Sequence, residues 1–243
     1  MFGKNENPVC NYVALENEIE SEYSNLGDFI YKLPNFIQAE EELEKRKLDS
    51  YFPAGRDDFT DKLRALRYDL EFTKIYQKFP VHVANANLFL ATSFFEGWLI
   101  RLVKKFEERL ESDFSIAKGT GFKRIINFLK SSSIDVESYS RIEQIYVAMK
   151  IRNFVAHTHG FLDHSRNHQE IRHIVAQGRF RASDHPRPYD PDSEFWCMKI
   201  VTSEWGDTLI ISNHYNHLIS AYFQQATLHI VRSIRHTIES ATL

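Results

Sequence analysis

The chain has 243 residues, and its 30 Lys and Arg against 33 Asp and Glu leave a formal net charge of −3. Hydrophobic residues make up 43% and aromatic residues 14%, so the sequence can build a packed core, and this composition excludes a disordered chain. Two cysteines are too few for a disulfide framework. The balance of charge excludes a generic polycation that coats nucleic acid.

The N-terminal quarter of the chain is acidic and has a helical pattern over residues 12–48. Residues 1–50 contain 11 acidic and five basic residues, a balance of −6. We interpret this segment as a helix with a solvated face, and an acidic arm that shields a basic groove or a partner is the alternative. Residues 51–55 (Tyr-Phe-Pro-Ala-Gly) predict a break in the helical structure.

A second helical pattern begins at Asp58, and either Asp57 or Asp58 can cap its start. Its apolar side chains recur at helical spacing, with Phe72 off register: Phe59, Leu63, Leu66, Leu70, Phe72 and Ile75. Pro80 predicts a boundary or kink before the next helix. We therefore predict an acidic helical N-terminal extension over residues 1–80 and a second domain over residues 81–243.

The strongest helix of the chain is predicted over residues 81–112. Its apolar positions follow spacings of three and four: Ala91, Phe95, Trp98, Leu102, Phe106 and Leu110. Polar and charged side chains interrupt the apolar stretch at residues 88–103, so we expect that it does not span a bilayer. No signal peptide is evident. We expect a cytoplasmic protein with no membrane partner.

The C-terminal half is predicted to be mostly helical. Shorter helices are expected over residues 122–129 and 138–158, and a long final helix over 214–240. Residues 161–192 have no periodicity and predict a long loop. Strands over 195–202 and 208–212 predict a hairpin. The fold class is therefore mainly α, an antiparallel helical bundle with a small inserted β-hairpin at about 195–212.

The segment with the clearest chemical meaning is residues 150–160, Lys-Ile-Arg-Asn-Phe-Val-Ala-His-Thr-His-Gly. It places Arg152, Asn153 and His157 near the end of a predicted helix. Asn153 and His157, four residues apart, share a helix face. Arg152 and His157 lie about 140° apart around the helix and about 7.5 Å apart along it. A second copy of the helix across a two-fold axis could bring these groups together.

This Arg-Asn-x-x-x-His motif resembles that of the HEPN (higher eukaryotes and prokaryotes nucleotide-binding) family of helical bundles. The upstream segment Ala-Thr-Ser-Phe-Phe-Glu-Gly-Trp-Leu, which contains Glu96, is similar to the first core helix of that family. The resemblance covers about residues 82–240. It implies a homodimer with a composite cleft and a metal-independent endoribonuclease, in which the RNA 2′-OH attacks the adjacent phosphate. It also implies a toxin–antitoxin or phage-defence setting, with an antitoxin or defence protein as a partner.

The residue types suit the implied reaction. His157 can act as general acid or base, Arg152 can hold the scissile phosphate with fixed donors, and Asn153 can support either group. Glu96 and His159 are assigned supporting positions. Glu96 is expected to serve as a structural partner rather than as a catalyst. No cofactor or metal is expected.

A basic region surrounds the motif. Residues 150–187 contain seven Lys or Arg and three acidic residues, a balance of +4. We predict RNA-binding roles for four arginines, with a merely solvated loop as the alternative: Arg166, Arg172, Arg179 and Arg181. A metal site is a weaker alternative, and it would use His157, His159, Asp163 and His164.

A non-catalytic reading of the motif stands beside the ribonuclease reading. Arg152 would then only pair with Glu96, and His157 would cap the helix C-terminus. In that reading the chain is a HEPN-like dimerisation or partner-binding module.

Overall fold

The computed structural model describes residues 8–185, 189–193 and 195–241 of the chain. Seven α-helices and one two-stranded sheet occur in these residues, and we number them in chain order. The helices are α1 (Pro8–Tyr51), α2 (Asp58–Thr73), α3 (Phe79–Phe106), α4 (Gly121–Ser131), α5 (Ile142–Thr158), α6 (His168–Ala176) and α7 (Asn213–Ala241). The strands are β1 (Met198–Ser203) and β2 (Gly206–Ile211). The predicted mainly helical fold with a small inserted hairpin is confirmed.

The long helices α1, α3 and α7 pack together and build most of the core. Phe95 of α3 stacks on Phe223 of α7 with ring centroids 4.4 Å apart, and Tyr12 of α1 stacks on Phe106 of α3 at 5.6 Å. The buried apolar residues of α1, from Tyr12 to Ile30, belong to the same hydrophobic cluster as those of α3, α5 and α7. The first half of α1 is thus part of the common core, and the division at residue 80 stays a prediction.

Buried polar side chains fix how these three helices meet. Asn216 of α7 donates from Nδ2 to the carbonyl oxygen of Ala84 in α3 at 2.7 Å. Asn213 donates from Nδ2 to the carbonyl oxygen of Ile30 in α1 at 2.6 Å. The hydroxyl groups of Tyr23 and Thr227 lie 3.0 Å apart. Because a buried polar group without a partner is costly, these bonds favour one packing arrangement.

The predicted boundary at Pro80 is replaced by a continuous helix. Residues Asp58–Phe106 form one helical run of 49 residues, in which a π-helical segment, Lys74–Lys78, precedes the proline. Proline lacks an N–H group and clashes with the carbonyl one turn earlier, and a π-helical turn is one way in which a helix accommodates such a defect. The helix after it spans Phe79–Phe106 rather than residues 81–112.

The continuous helix is long and apolar enough, by length and composition, to cross a membrane. Half of its most apolar stretch is buried inside the fold, where Ala84, Leu88 and Ala91 are inaccessible to solvent. Core helices of soluble proteins also meet this criterion. Cytoplasmic localisation therefore stays an expectation.

The apolar stripe predicted on α2 does not face the core. Phe59, Leu66 and Leu70 are more than half exposed, whereas Phe72, which lay off that stripe, and Ile75, at its end, are buried. The helix was predicted correctly, but it packs on the rest of the fold through the opposite face. Among the described residues, none covers the exposed faces of Phe59, Leu66 and Leu70.

The long loop predicted over residues 161–192 is wrong in part, because it contains helix α6 and a 3₁₀ turn, Leu162–His164. Ile171, Ile174 and Val175 are the buried residues of α6, and their spacing of three and four is the pattern of a short amphipathic helix. The many charged and histidine residues around them obscured this pattern.

The hairpin is confirmed with shifted bounds. Met198 pairs with Ile211 and Ser203 with Gly206, so only Glu204 and Trp205 remain in the loop. Phe161 forms an isolated bridge with Thr208, and the N–H of Leu209 donates to the carbonyl oxygen of Gly160 at 2.8 Å. The hairpin is therefore joined directly to the chain that leaves α5.

Candidate functional site

The motif residues lie on the last two turns of α5, where the helix ends in a left-handed turn. His159 and Gly160 have φ values of 54° and 92°, and the N–H of His159 donates to the carbonyl oxygen of Val155 at 2.9 Å. The Thr158 hydroxyl donates back to the carbonyl oxygen of Phe154 at 2.8 Å. This end fixes the direction of the helix terminus that carries His157.

Arg152 forms an ion pair with Glu96 of α3. Its Nη2 atom lies 2.7 Å from Oε2 of Glu96, and the two side chains are 25% and 20% exposed. The Nε atom of Arg152 is buried and has no hydrogen-bond partner among the described residues. The pair between Arg152 and Glu96 that the sequence suggested is present, and it joins α5 to α3.

Glu96 also lies beside the start of α4. A Cβ atom added to Gly121, the first residue of α4, would lie 3.7 Å from Oε1 of Glu96. The positive end of a helix dipole stabilises a nearby carboxylate. Glu96 therefore lies between a cation and a helix N-terminus, an arrangement that favours a structural role for it.

Asn153 and His157 face a different side of α5, where they line an open groove of about 350 Å³. The other polar residues that line it are Lys150, Ser165, Asn167 and Thr158, together with Tyr146. Burial raises the pKa of Tyr146 above its ordinary value, so its hydroxyl stays protonated at neutral pH. Arg152 is not among the residues that line this groove. Within one chain, Asn153 and His157 are brought together and Arg152 is not.

Lys150 and Asn167 are groove residues that the sequence reasoning missed. Lys150 precedes Asn153 by three positions and His157 by seven, so its place on their helix face was visible in the spacing. In the structure Lys150 forms an ion pair with Glu170 of α6. Asn167 comes directly before α6 and was hidden because that helix was not predicted.

The four arginines predicted to bind RNA do not form one free patch. Arg172 donates to Oδ2 of Asp207 at 2.5 Å, and Arg179 donates from Nε to Oε1 of Glu143 at 2.8 Å. Arg181 contacts His185, and Arg166 is exposed. Hydrogen bonds from the Thr202 hydroxyl and, to a smaller extent, from Arg172 hold the pKa of Asp207 below its ordinary value.

Two of these arginines lie at the opposite end of α5 from His157. Arg179 and Arg181 line a separate cavity of about 450 Å³ beside the first turn of α5. Glu143, the partner of Arg179, and His157 are 14 positions apart along α5, which corresponds to a rise of about 21 Å. Arg172 lies next to Ile171, which lines the motif groove. Arg172 is therefore nearer to the motif than Arg179 is.

The weaker metal alternative finds no support in the described ranges. No group of three or more His, Cys, Asp or Glu side chains able to hold a metal ion occurs in residues 8–185, 189–193 and 195–241. His159 is exposed and does not belong to the residues that line the groove.

Cys197 is a buried thiol close to the hairpin. Burial raises its pKa from an ordinary value of 9.0 to about 11. Its proton therefore stabilises the folded state below pH 9, and this contribution is lost as the pH rises through 11. In a Cys10→Ser background, we expect slow labelling by a thiol reagent at pH 8 and a steep increase between pH 9 and 11. Fast labelling at pH 8 under native conditions would contradict a buried, protonated thiol.

No known protein family model, curated protein or solved structure matches this chain. The resemblance to the HEPN family therefore depends on the sequence motif and the upstream segment that contains Glu96, and it stays an expectation.

Proposed function

We propose that this chain is a metal-independent endoribonuclease of HEPN type that acts as a homodimer. The observation that carries the proposal is the open groove at the end of α5, where Asn153 and His157 project side by side next to Lys150. Cleavage of an RNA phosphodiester needs a group that carries a proton and groups that donate hydrogen bonds to the phosphate oxygens. An exposed histidine beside an amide and a cation provides both.

The reaction assigned to this groove is attack of a ribose 2′-OH on the adjacent phosphorus. The P–O5′ bond breaks, a 2′,3′-cyclic phosphate forms, and the leaving 5′-oxygen takes up a proton. In the homodimer, His157 of one copy takes the proton of the 2′-OH, and His157 of the other copy gives a proton to the leaving 5′-oxygen. Asn153 and Lys150 contact phosphate oxygens. No redox partner is required, because the oxidation state of phosphorus does not change.

Arg152 explains why the proposal includes a second copy of the chain. On one helix it points away from the groove of His157 and toward Glu96. Two motif helices that meet across a two-fold axis can place Arg152 of one copy beside His157 of the other. By analogy with the family, such an enzyme would act in a toxin–antitoxin or phage-defence system with a regulatory partner protein.

A second candidate function is a non-catalytic dimerisation or partner-binding module. The ion pair between Arg152 and Glu96 favours it, because that pair already gives the arginine a structural role. In this alternative the groove binds a protein segment and His157 has no chemical task.

The two candidates are separated by an RNA cleavage assay in the presence of a chelator. We expect the wild-type protein to cleave total RNA and His157→Ala to lose activity by about 10²- to 10⁴-fold, the range typical of a lost acid–base group. Arg152→Ala and Asn153→Ala are expected to lose activity as well. His236→Ala is the matched control, since His236 is an exposed histidine on α7, and it should keep full activity.

The outcomes point in different directions. Equal activity in the wild type and in His157→Ala would disprove the site assignment. Absence of activity in all proteins, with the fold intact by circular dichroism, would favour the binding module. Loss of activity on chelation would contradict a metal-independent reaction.

A further inference from the structure

Helix α2 carries an apolar face that the described residues leave largely uncovered. Phe59, Leu66 and Leu70 are 70%, 58% and 51% exposed. Leu63 lies between them on the same face and is partly buried. These are large side chains, and a row of them on one helix exceeds the scattered apolar residues that a protein surface normally shows.

The opposite face of α2 is the one that packs on the protein. Phe72 is buried, and Tyr68 stacks on its ring with centroids 3.9 Å apart. Arg64 donates to the carbonyl oxygen of Phe52 at 2.8 Å. At about 100° per residue, these positions lie about 120–180° around the helix from the exposed row. The row therefore points away from the body of the protein.

The spacing of the exposed row is that of a coiled-coil seam. Phe59, Leu63, Leu66 and Leu70 follow one another at intervals of four, three and four residues, which is the a and d pattern of a heptad. A seam of this kind is complementary to another seam of the same kind. The helix is already formed in the folded chain, so the free energy of pairing is not reduced by the unfavourable nucleation of a helix.

We propose that α2 pairs in antiparallel orientation with α2 of a second copy of this chain. The flanking charges select the orientation, because Lys62 and Asp69 are exposed and border the seam on the same side. An antiparallel pair related by a two-fold axis brings Lys62 of each copy to Asp69 of the other, which forms two attractive contacts. A parallel pair would bring Lys62 to Arg67 of the second copy, a like-charge contact.

This interface uses a face of the protein other than the groove of Asn153 and His157. It therefore does not depend on the proposed ribonuclease activity. If the motif helices also meet across a two-fold axis, pairing of α2 adds a further association step.

The test is sedimentation velocity of the full chain at increasing protein concentration. We expect a reversible association step in the wild type that is absent from Leu66→Lys. Lys62→Asp and Asp69→Lys each turn two attractive contacts into two repulsive ones and should weaken this step about tenfold. The double variant Lys62→Asp/Asp69→Lys restores opposite charges in the antiparallel pair and should associate as the wild type does. Leu90→Lys is the control, because Leu90 is an exposed leucine on α3.

Three results would overturn the proposal. The first is a wild-type protein that shows no association step up to the highest concentration reached. The second is association that Leu66→Lys leaves unchanged, which would assign the contact to another face. The third is a double charge reversal that associates no better than the single variants, which would contradict the antiparallel pairing. The second and third results leave the proposed ribonuclease untouched, whereas a wild-type protein that stays monomeric would also contradict its homodimer. RNA cleavage that is lost in His157→Ala and retained in Leu66→Lys would separate the two proposals.

Discussion

Glu96→Ala is expected to lower the free energy of unfolding by about 2–4 kcal/mol. Glu96 and Arg152 are three-quarters or more buried, and removal of the carboxylate leaves a guanidinium without a counter-charge in a mostly dry position. The desolvation cost of that cation then remains uncompensated. The loss of a negative charge beside the N-terminus of α4 adds to the effect.

Denaturant unfolding followed by circular dichroism measures this cost, provided that the slope of the transition does not change. Glu239→Ala is the matched control. Its ion pair with Arg235 is more exposed, so its loss should cost less than about 1 kcal/mol. The double variant Glu96→Leu/Arg152→Met removes both charges and should be more stable than Glu96→Ala. Equal stability of Glu96→Ala and the wild type would show that the pair contributes little.

The same variants separate the two roles of Arg152. In Glu96→Gln the amide oxygen can still accept a hydrogen bond from Arg152 while the charge is lost. If Glu96 is a positioning residue for Arg152, Glu96→Gln should cleave RNA better than Glu96→Ala at a temperature where both are folded. If Arg152 serves only the fold, the variants should differ in stability alone.

The sequence predicted the local features that depend on periodicity. The helices α3, α4, α5 and α7 and the hairpin follow from the spacing of apolar residues and from turn residues, with bounds that shift by a few residues. The shared face of Asn153 and His157 also follows from a spacing of four residues. These are short-range consequences of helix geometry, which the sequence contains directly.

Other features depend on contacts between distant segments, and the spacing of apolar residues does not predict such contacts. The amphipathic stripe of α2 predicted a helix, but it did not reveal that the stripe would stay exposed. Likewise, Arg172 and Arg179 were read as free cations because Asp207 and Glu143, their partners, lie 35 and 36 residues away. The net charge of a segment therefore does not show how many of its charged side chains lack an ion-pair partner, because that number depends on which distant residues the fold brings into contact.

Gly160→Ala is expected to destabilise the fold by about 2–5 kcal/mol, because it combines backbone strain with a direct clash. Gly160 has a φ of 92°, and an added Cβ would lie 2.7 Å from the carbonyl oxygen of Leu209. That distance is too short for carbon and oxygen, so either β2 or the end of α5 must move. The same movement would lengthen the hydrogen bond from Leu209 to Gly160, now 2.8 Å.

Gly55→Ala separates the two contributions, because Gly55 has a similar φ of 72° and no atom within 4 Å of an added Cβ. It measures strain alone, which we expect to be about 1–2 kcal/mol. The excess of Gly160→Ala over Gly55→Ala in denaturant unfolding then reports the clash with β2. Since Gly160 follows His157 by three residues, a shift there should also lower RNA cleavage in a variant that remains folded, whereas Gly55→Ala should cleave normally. Equal costs at the two positions would mean that the hairpin moves aside freely and that it does not fix the end of the motif helix.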